Sequence, residues 1–236
     1  MATTVSTLLA GLHRDPGRPR LTWYGPQGER IELSGAVLDN WVTKTVNLMV
    51  EEFDTGPGSV VSIALPPHWR TVVWALAAWR CGAAVSDDPI PDVRITDRPD
   101  QAGPAVDLVA VALPALALRW PGPPLAAGVI DAAQAVMTYG DQIGWAPDPA
   151  AGDPALPGLT HGDLATAADA AADVPTGARV LLPVTAGTDP HRFLLTALGV
   201  LLRDGSLVLV TADHDPGQVE RIVATERIGH RLSPAE

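Results

Sequence analysis

The chain has 236 residues, 47% of them hydrophobic and 18% charged, which is enough apolar material for a real core and excludes a disordered chain. Its formal net charge of −11 argues against general nucleic-acid binding, because such a surface repels phosphate backbones. Cys81 is the only cysteine, which excludes an internal disulfide and a thiolate zinc cage, and Lys44 is the only lysine.

The N-terminal tract 1–12 is apolar but carries no basic residue ahead of it, so it reads as no secretory signal. No apolar run reaches the ~20 residues of a spanning helix, and a cytoplasmic protein is expected. Residues 20–32 predict a hairpin whose turn is Gly25-Pro26-Gln27-Gly28. Ser34 then caps a helix with the stripe Leu38, Trp41, Thr45, Leu48 and Met49, stopped by Gly56-Pro57-Gly58. The continuous apolar run 60–65 predicts a buried parallel strand. Pro66-Pro67 opens a helix over 68–81 that ends at Gly82, and 83–86 returns as a strand, which completes a β-α-β unit. Within that helix the apolar stripes overlap at Leu76 and place it at the centre of the buried face. Trp74 lies about 200° away around the axis and is expected on the open side, as an exposed apolar patch for a partner.

Beyond Asp87 the pattern weakens. Strands are predicted over 92–96 and 106–112, a long Pro/Gly connection over 113–128 and a short helix over 129–138. Residues 141–157 read as a loop without periodicity. Order returns with a helix over 160–172, a strand over 179–183, a helix over 191–203, a strand over 206–211 and a helix over 216–226. Thr160-x-x-Asp163 has the form of a capping box, and Asp215-Pro216 reads as a helix start rather than as part of a metal site with Asp213 and His214. There is no G-x-S-x-G elbow, no dinucleotide fingerprint and no H-E-x-x-H. No catalytic residue, metal site or required cofactor is therefore assigned.

Four stretches resemble one family. Gly56-Pro57-Gly58-Ser59-Val60-Val61-Ser62-Ile63-Ala64-Leu65-Pro66-Pro67-His68-Trp69 and residues 73–85, followed by Asp88-Pro89, are similar to consecutive motifs of the adenylate-forming enzymes, the AMP-dependent acyl-CoA synthetases and ligases. Leu159-Thr160-His161-Gly162-Asp163-Leu164 resembles the segment after that family's phosphate loop, and residues 179–183 with 197–210 resemble later strands, in the same order. The resemblance implies an α/β fold of parallel-rich sheets with helices on both faces. It implies one interlocked region over 1–236, with 1–55 and 190–236 as one sublobe and 56–189 as the other.

The departures shape the expected function. Where the family carries its hydroxyl-rich, lysine-containing phosphate loop, this chain has Ala150-Ala151-Gly152-Asp153-Pro154-Ala155-Leu156-Pro157-Gly158. Gly152 and Gly158, with Thr160 and His161, mark a vestigial phosphate-loop region for ATP or AMP, and His191 falls where the family lines its acyl pocket. Asp153 and two prolines supply neither the N–H groups nor the cation that a phosphate needs. The family's later motifs, including its catalytic lysine, have no counterpart before Glu236. The expectation is a degenerate, truncated relative that does not adenylate and acts as a ligand-binding or protein-interaction module, with a protein partner or self-association. The alternative is an AMP- or acyl-binding remnant completed by a separate chain.

Overall fold

The computed structural model describes residues 4–234. The N-terminal apolar tract forms helix α1 (Thr4–Leu12). The expected hairpin is present as β1 (Pro19–Tyr24) and β2 (Arg30–Ser34), and its turn places Gln27 and Gly28 at φ of 57° and 79°. Gly28 takes that left-handed conformation at little steric cost. Ser34 Oγ accepts from the Val37 amide at 3.4 Å at the start of α2 (Gly35–Phe53), as the capping argument requires. Next come β3 (Val60–Ala64) and α3 (Trp69–Cys81), which stops at Gly82 with φ 86°.

Short strands β4 (Ala84–Val85), β5 (Val93–Thr96), β6 (Asp107–Ala110) and β7 (Ile130–Asp131) follow. The helix expected over 129–138 is only the single turn α4 (Ala132–Ala135), capped by Asp131 accepting from the Ala133 amide, with a 3-10 turn after it. The segment read as an unpatterned loop contains β8 (Pro154–Leu156), which pairs antiparallel with β9 (Leu159–Thr160). Because Thr160 belongs to β9, α5 (Leu164–Ala171) starts four residues later than predicted. The chain closes with β10 (Arg179–Val184), α6 (Pro190–Leu202), β11 (Ser206–Thr211), α7 (Pro216–Thr225) and β12 (His230–Arg231). Asp189 caps α6. Asp215 and Gln218 form a full capping box on α7, where the sequence placed a helix start.

Two compact units result. One comprises residues 4–6, Asp39–Leu65 and Val73–Asp163, and the other Thr7–Leu38, Pro66–Val72 and residues 164–234. The first holds an all-parallel sheet in the order β4-β3-β5-β6-β7. The second holds the order β12-β10-β11-β1-β2, parallel except for the β1–β2 hairpin. This is the expected α/β class. The units differ from the expected sublobes: the second reaches back to residue 164, taking in α5 and β10 as well as 66–72, and residues 39–55 belong to the first.

The central strands β10 and β11 are buried along nearly their whole length, so both read as continuous apolar runs in the sequence. Against them α5 and α6 cross closely. A Cβ on Gly199 would lie 2.1 Å from the Ala168 carbonyl oxygen. Helix α3 departs from the amphipathic expectation: Trp74 is 3% exposed, beside Trp69 at 2% and Trp79 at 1%. The helix is buried all round, so it presents no exposed tryptophan patch, and the argument for a partner at that patch is withdrawn.

Candidate functional site

The residues expected to mark a vestigial phosphate loop lie together in the first unit, along 150–163, and local hydrogen bonds close that segment on itself. The Asp153 amide donates to the Ala150 carbonyl at 3.1 Å, and the Ala150 amide donates to Asp153 Oδ2 at 2.7 Å. Gly152 sits inside this turn. The His161 amide then donates to the Asp153 carbonyl at 2.9 Å, and the Gly162 amide to the Ala151 carbonyl at 2.8 Å. Gly158, at φ 76°, makes the turn between β8 and β9.

At the far end, Thr160 donates both its amide and its hydroxyl to Asp163 Oδ2, at 3.0 and 2.6 Å, while the Asp163 amide donates to the Thr160 carbonyl at 3.0 Å. Half of the predicted box is present: Asp163 accepts from the Thr160 amide, but Thr160 Oγ1 donates to the same carboxylate instead of accepting from the Asp163 amide. The hydrogen bonds from Thr160 hold the Asp163 carboxyl below its ordinary pKa, so it is anionic at neutral pH.

A phosphate site needs backbone N–H groups pointing outward or a fixed cation. Here the amides of Ala150, Asp153, Thr160, His161, Gly162 and Asp163 are spent on neighbours in the same segment, and two carboxylates stand among them. Those six amides are not free to cradle a phosphate.

The segment is also anchored into the core. Ala155 and Leu156 are buried, β8 lies against β4, and Trp79 Nε1 donates to the Ala155 carbonyl at 2.9 Å. His161 is buried, with its ring against the backbone of Ala83 and Gly82. Burial pushes its pKa below the usual histidine range despite those contacts, so the ring is neutral, and its Nε2 is enclosed without a partner. A buried neutral imidazole offers no charge to a phosphate.

His191 belongs to the second unit, in the first turn of α6, and is half-buried beside the Asp189 cap. His214 Nδ1 lies 3.2 Å from the Thr211 carbonyl, and Asp215 is committed to its helix cap. No group of three or more His, Cys, Asp or Glu among the described residues could hold a metal ion. Burial drives the Cys81 thiol up to about 12, which keeps it protonated. No helix among the described residues is long and apolar enough to cross a membrane.

One cluster escaped the sequence reading. In the second unit Glu226, at the end of α7, accepts from the Tyr24 hydroxyl and from Arg30 at 2.8 Å, and is bridged by Arg179. Arg179 also donates to Ser206 Oγ at 2.6 Å. Burial alone would raise the Glu226 pKa, but the donors Tyr24, Arg179 and Arg30 outweigh it and hold the carboxyl below the usual range. The partners come from β1, β2, β10 and α7, separated by up to 202 residues, so no local motif announces them.

No family model matches the chain. Among solved structures it resembles an acyl-CoA synthetase from Brucella canis, with a TM-score of 0.73 at 16% identity over 98% of this chain and 47% of that one. It also resembles an amide bond synthetase variant from Marinactinospora thermotolerans, with a TM-score of 0.65 at 14% identity over 97% of this chain and 48% of that one. The chain thus spans about half the length of either enzyme, and the likeness establishes the α/β fold expected from the motifs. A curated protein of Mycobacterium tuberculosis (strain ATCC 25618 / H37Rv), described as a TIGR03089 family protein, is 38% identical over 242 residues, covering 95% of this chain and 98% of its own length. At that identity and coverage, the chain belongs to the TIGR03089 family.

Proposed function

We propose that this chain is a degenerate relative of the acyl-CoA synthetases that does not form adenylates by itself and serves as a ligand-binding or protein-interaction module. The observation that carries this reading is the segment 150–163, in which the amides of Ala150, Asp153, Thr160, His161, Gly162 and Asp163 are taken by neighbours and the acidic groups are Asp153 and Asp163. A bound phosphate there would have to break several short hydrogen bonds and sit against carboxylates, with no lysine to offset them. Loss of charged transition-state contacts of this kind costs ~3 kcal/mol or more each. Lys44 supplies no substitute, because its ammonium is spent on the Tyr139 carbonyl.

The test is ATP–pyrophosphate exchange by the purified protein with a panel of aliphatic and aromatic acids, alongside thermal shift with ATP and AMP. Exchange at the buffer level and no nucleotide-dependent rise in melting temperature are expected. Robust exchange with one acid would refute the reading.

A further inference from the structure

In the second unit, a cavity of about 120 Å³ opens between α1 and the end of α6, lined by Leu8, Leu12, Leu201 and Leu202 together with Arg14 and Arg20. Arg20 is 1% exposed, so its charge is held away from water. Its guanidinium is engaged on one side only. Nη1 donates to the carbonyls of Asp204 and Gly205 at 2.9 and 3.3 Å and lies 2.7 Å from Asp204 Oδ1, whereas Nε is buried with no partner.

The single counter-ion is shared. Asp204 also pairs with Arg18 at 3.1 Å, and its side chain is largely exposed. Arg14 lines the same cavity and has no ion-pair partner among the described residues. Arg18 and Arg20 thus share one carboxylate, Asp204, which lines the cavity together with Arg14 and Arg20, in a chain whose net charge is −11. Nη1 already occupies the carbonyls of Asp204 and Gly205 in the turn after α6.

We propose that this cavity binds a small monoanion with a short aliphatic tail. The head group pairs with Arg14 and with the part of the Arg20 guanidinium that carries no bond to Asp204, Nε itself being sealed. The leucines take the tail. The volume equals that of about four waters, which limits the ligand to roughly half a dozen non-hydrogen atoms. This site is built from residues of the second unit and shares none with the segment 150–163.

The experiment is an amide and Arg Nε–H NMR titration of the full-length protein with butyrate, propanesulfonate, butanol and phosphate. Saturable shifts at Gly11, Arg14 and the Arg20 Nε–H are expected with butyrate and propanesulfonate, at least ~tenfold tighter than with butanol or phosphate. Gly11 lines the cavity, and a Cβ there meets open space, so Gly11→Leu should fill the cavity, keep or raise the melting temperature and abolish the shifts. Arg14→Gln should weaken binding ~tenfold, the loss of one charge-assisted hydrogen bond. Absence of saturable shifts at millimolar ligand, equal binding of butanol or phosphate, or unchanged binding in a folded Gly11→Leu protein would each overturn the proposal.

Discussion

Trp79 Nε1 donates to the backbone carbonyl of Ala155 at 2.9 Å, tying the buried helix α3 to the strand β8. The bond satisfies a backbone acceptor that burial has removed from water. Trp79→Phe keeps most of the ring and loses the donor, and should cost about 1–3 kcal/mol, the penalty of an unpaired buried carbonyl. Trp79→Ala should cost about 3–5 kcal/mol. Urea melts of both variants check the split; a negligible loss for Trp79→Phe beside a large one for Trp79→Ala would show that the ring's packing alone matters.

The surroundings of α3 make Trp74 as important as Leu76. Both are buried, at 3% and 1% exposure. Trp74→Ala should destabilise the protein by about 3–5 kcal/mol and Leu76→Ala by about 2–5 kcal/mol. A loss below about 1 kcal/mol for Trp74→Ala in chemical denaturation would contradict the enclosed helix.

Acid should unfold the protein through its buried histidines. His68 lies in edge contact with the Trp23 ring at 4.4 Å between centroids, and its Nδ1 accepts from the Arg70 amide at 3.2 Å. Burial, reinforced by the Arg70 charge, lowers its pKa to about 3, and His161 is lowered by burial in the same direction. The folded state resists a proton that the unfolded chain accepts near the ordinary histidine pKa of 6.5. The stability these groups confer is therefore complete above that value and is lost as pH falls from there towards about 3. Below pH ~6 the loss from His68 approaches ~1.4 kcal/mol per pH unit, and His161 adds in the same direction. His68→Phe should flatten the acid limb of a stability–pH curve; an unchanged limb would count against the assignment.

Lys44 acts within the fold. It donates to the Tyr139 carbonyl, Asn47 Nδ2 donates to the carbonyls of Gly140 and Gln142 at 3.1 and 2.9 Å, and the Tyr139 hydroxyl donates to Glu52. One face of α2 thus holds the backbone of 139–142. Lys44→Met should cost about 1–3 kcal/mol of stability, and the ammonium should react slowly with amine reagents until the protein is denatured. Fast native labelling would argue against the bond.

Helices and strands whose signal is local were legible in the sequence. Val60–Ala64, Ser206–Thr211 and the Asp215 cap announce themselves by apolar runs or cap residues. Strand β8 did not, because three residues carry no periodicity and Pro154 disguises them. Its pairing is set by the burial of Ala155 and Leu156 and by a bond from Trp79 across 76 residues. The facing of α3 was misread for a related reason: periodicity finds an amphipathic stripe only when one side meets water. At the candidate site the residues Gly152, Gly158, Thr160 and His161 were found by motif order, but the internal closure of their amides depends on which acceptors the turns bring close. The Glu226 cluster and the Arg20 cavity draw on both ends of the chain and leave no trace in any window.

The contact of Gly199 with Ala168 bears on the order of assembly. Helix α5 is eight residues long and mostly alanine, too short to hold its shape alone in water. It becomes helical by seating against α6 at a spot where even one added methyl would meet a carbonyl at 2.1 Å. The helix therefore depends on that groove for its stability. In hydrogen exchange the amides of α5 should open ahead of those of β10 and β11, and a Gly199→Ala chain should keep its central strands while α5 frays.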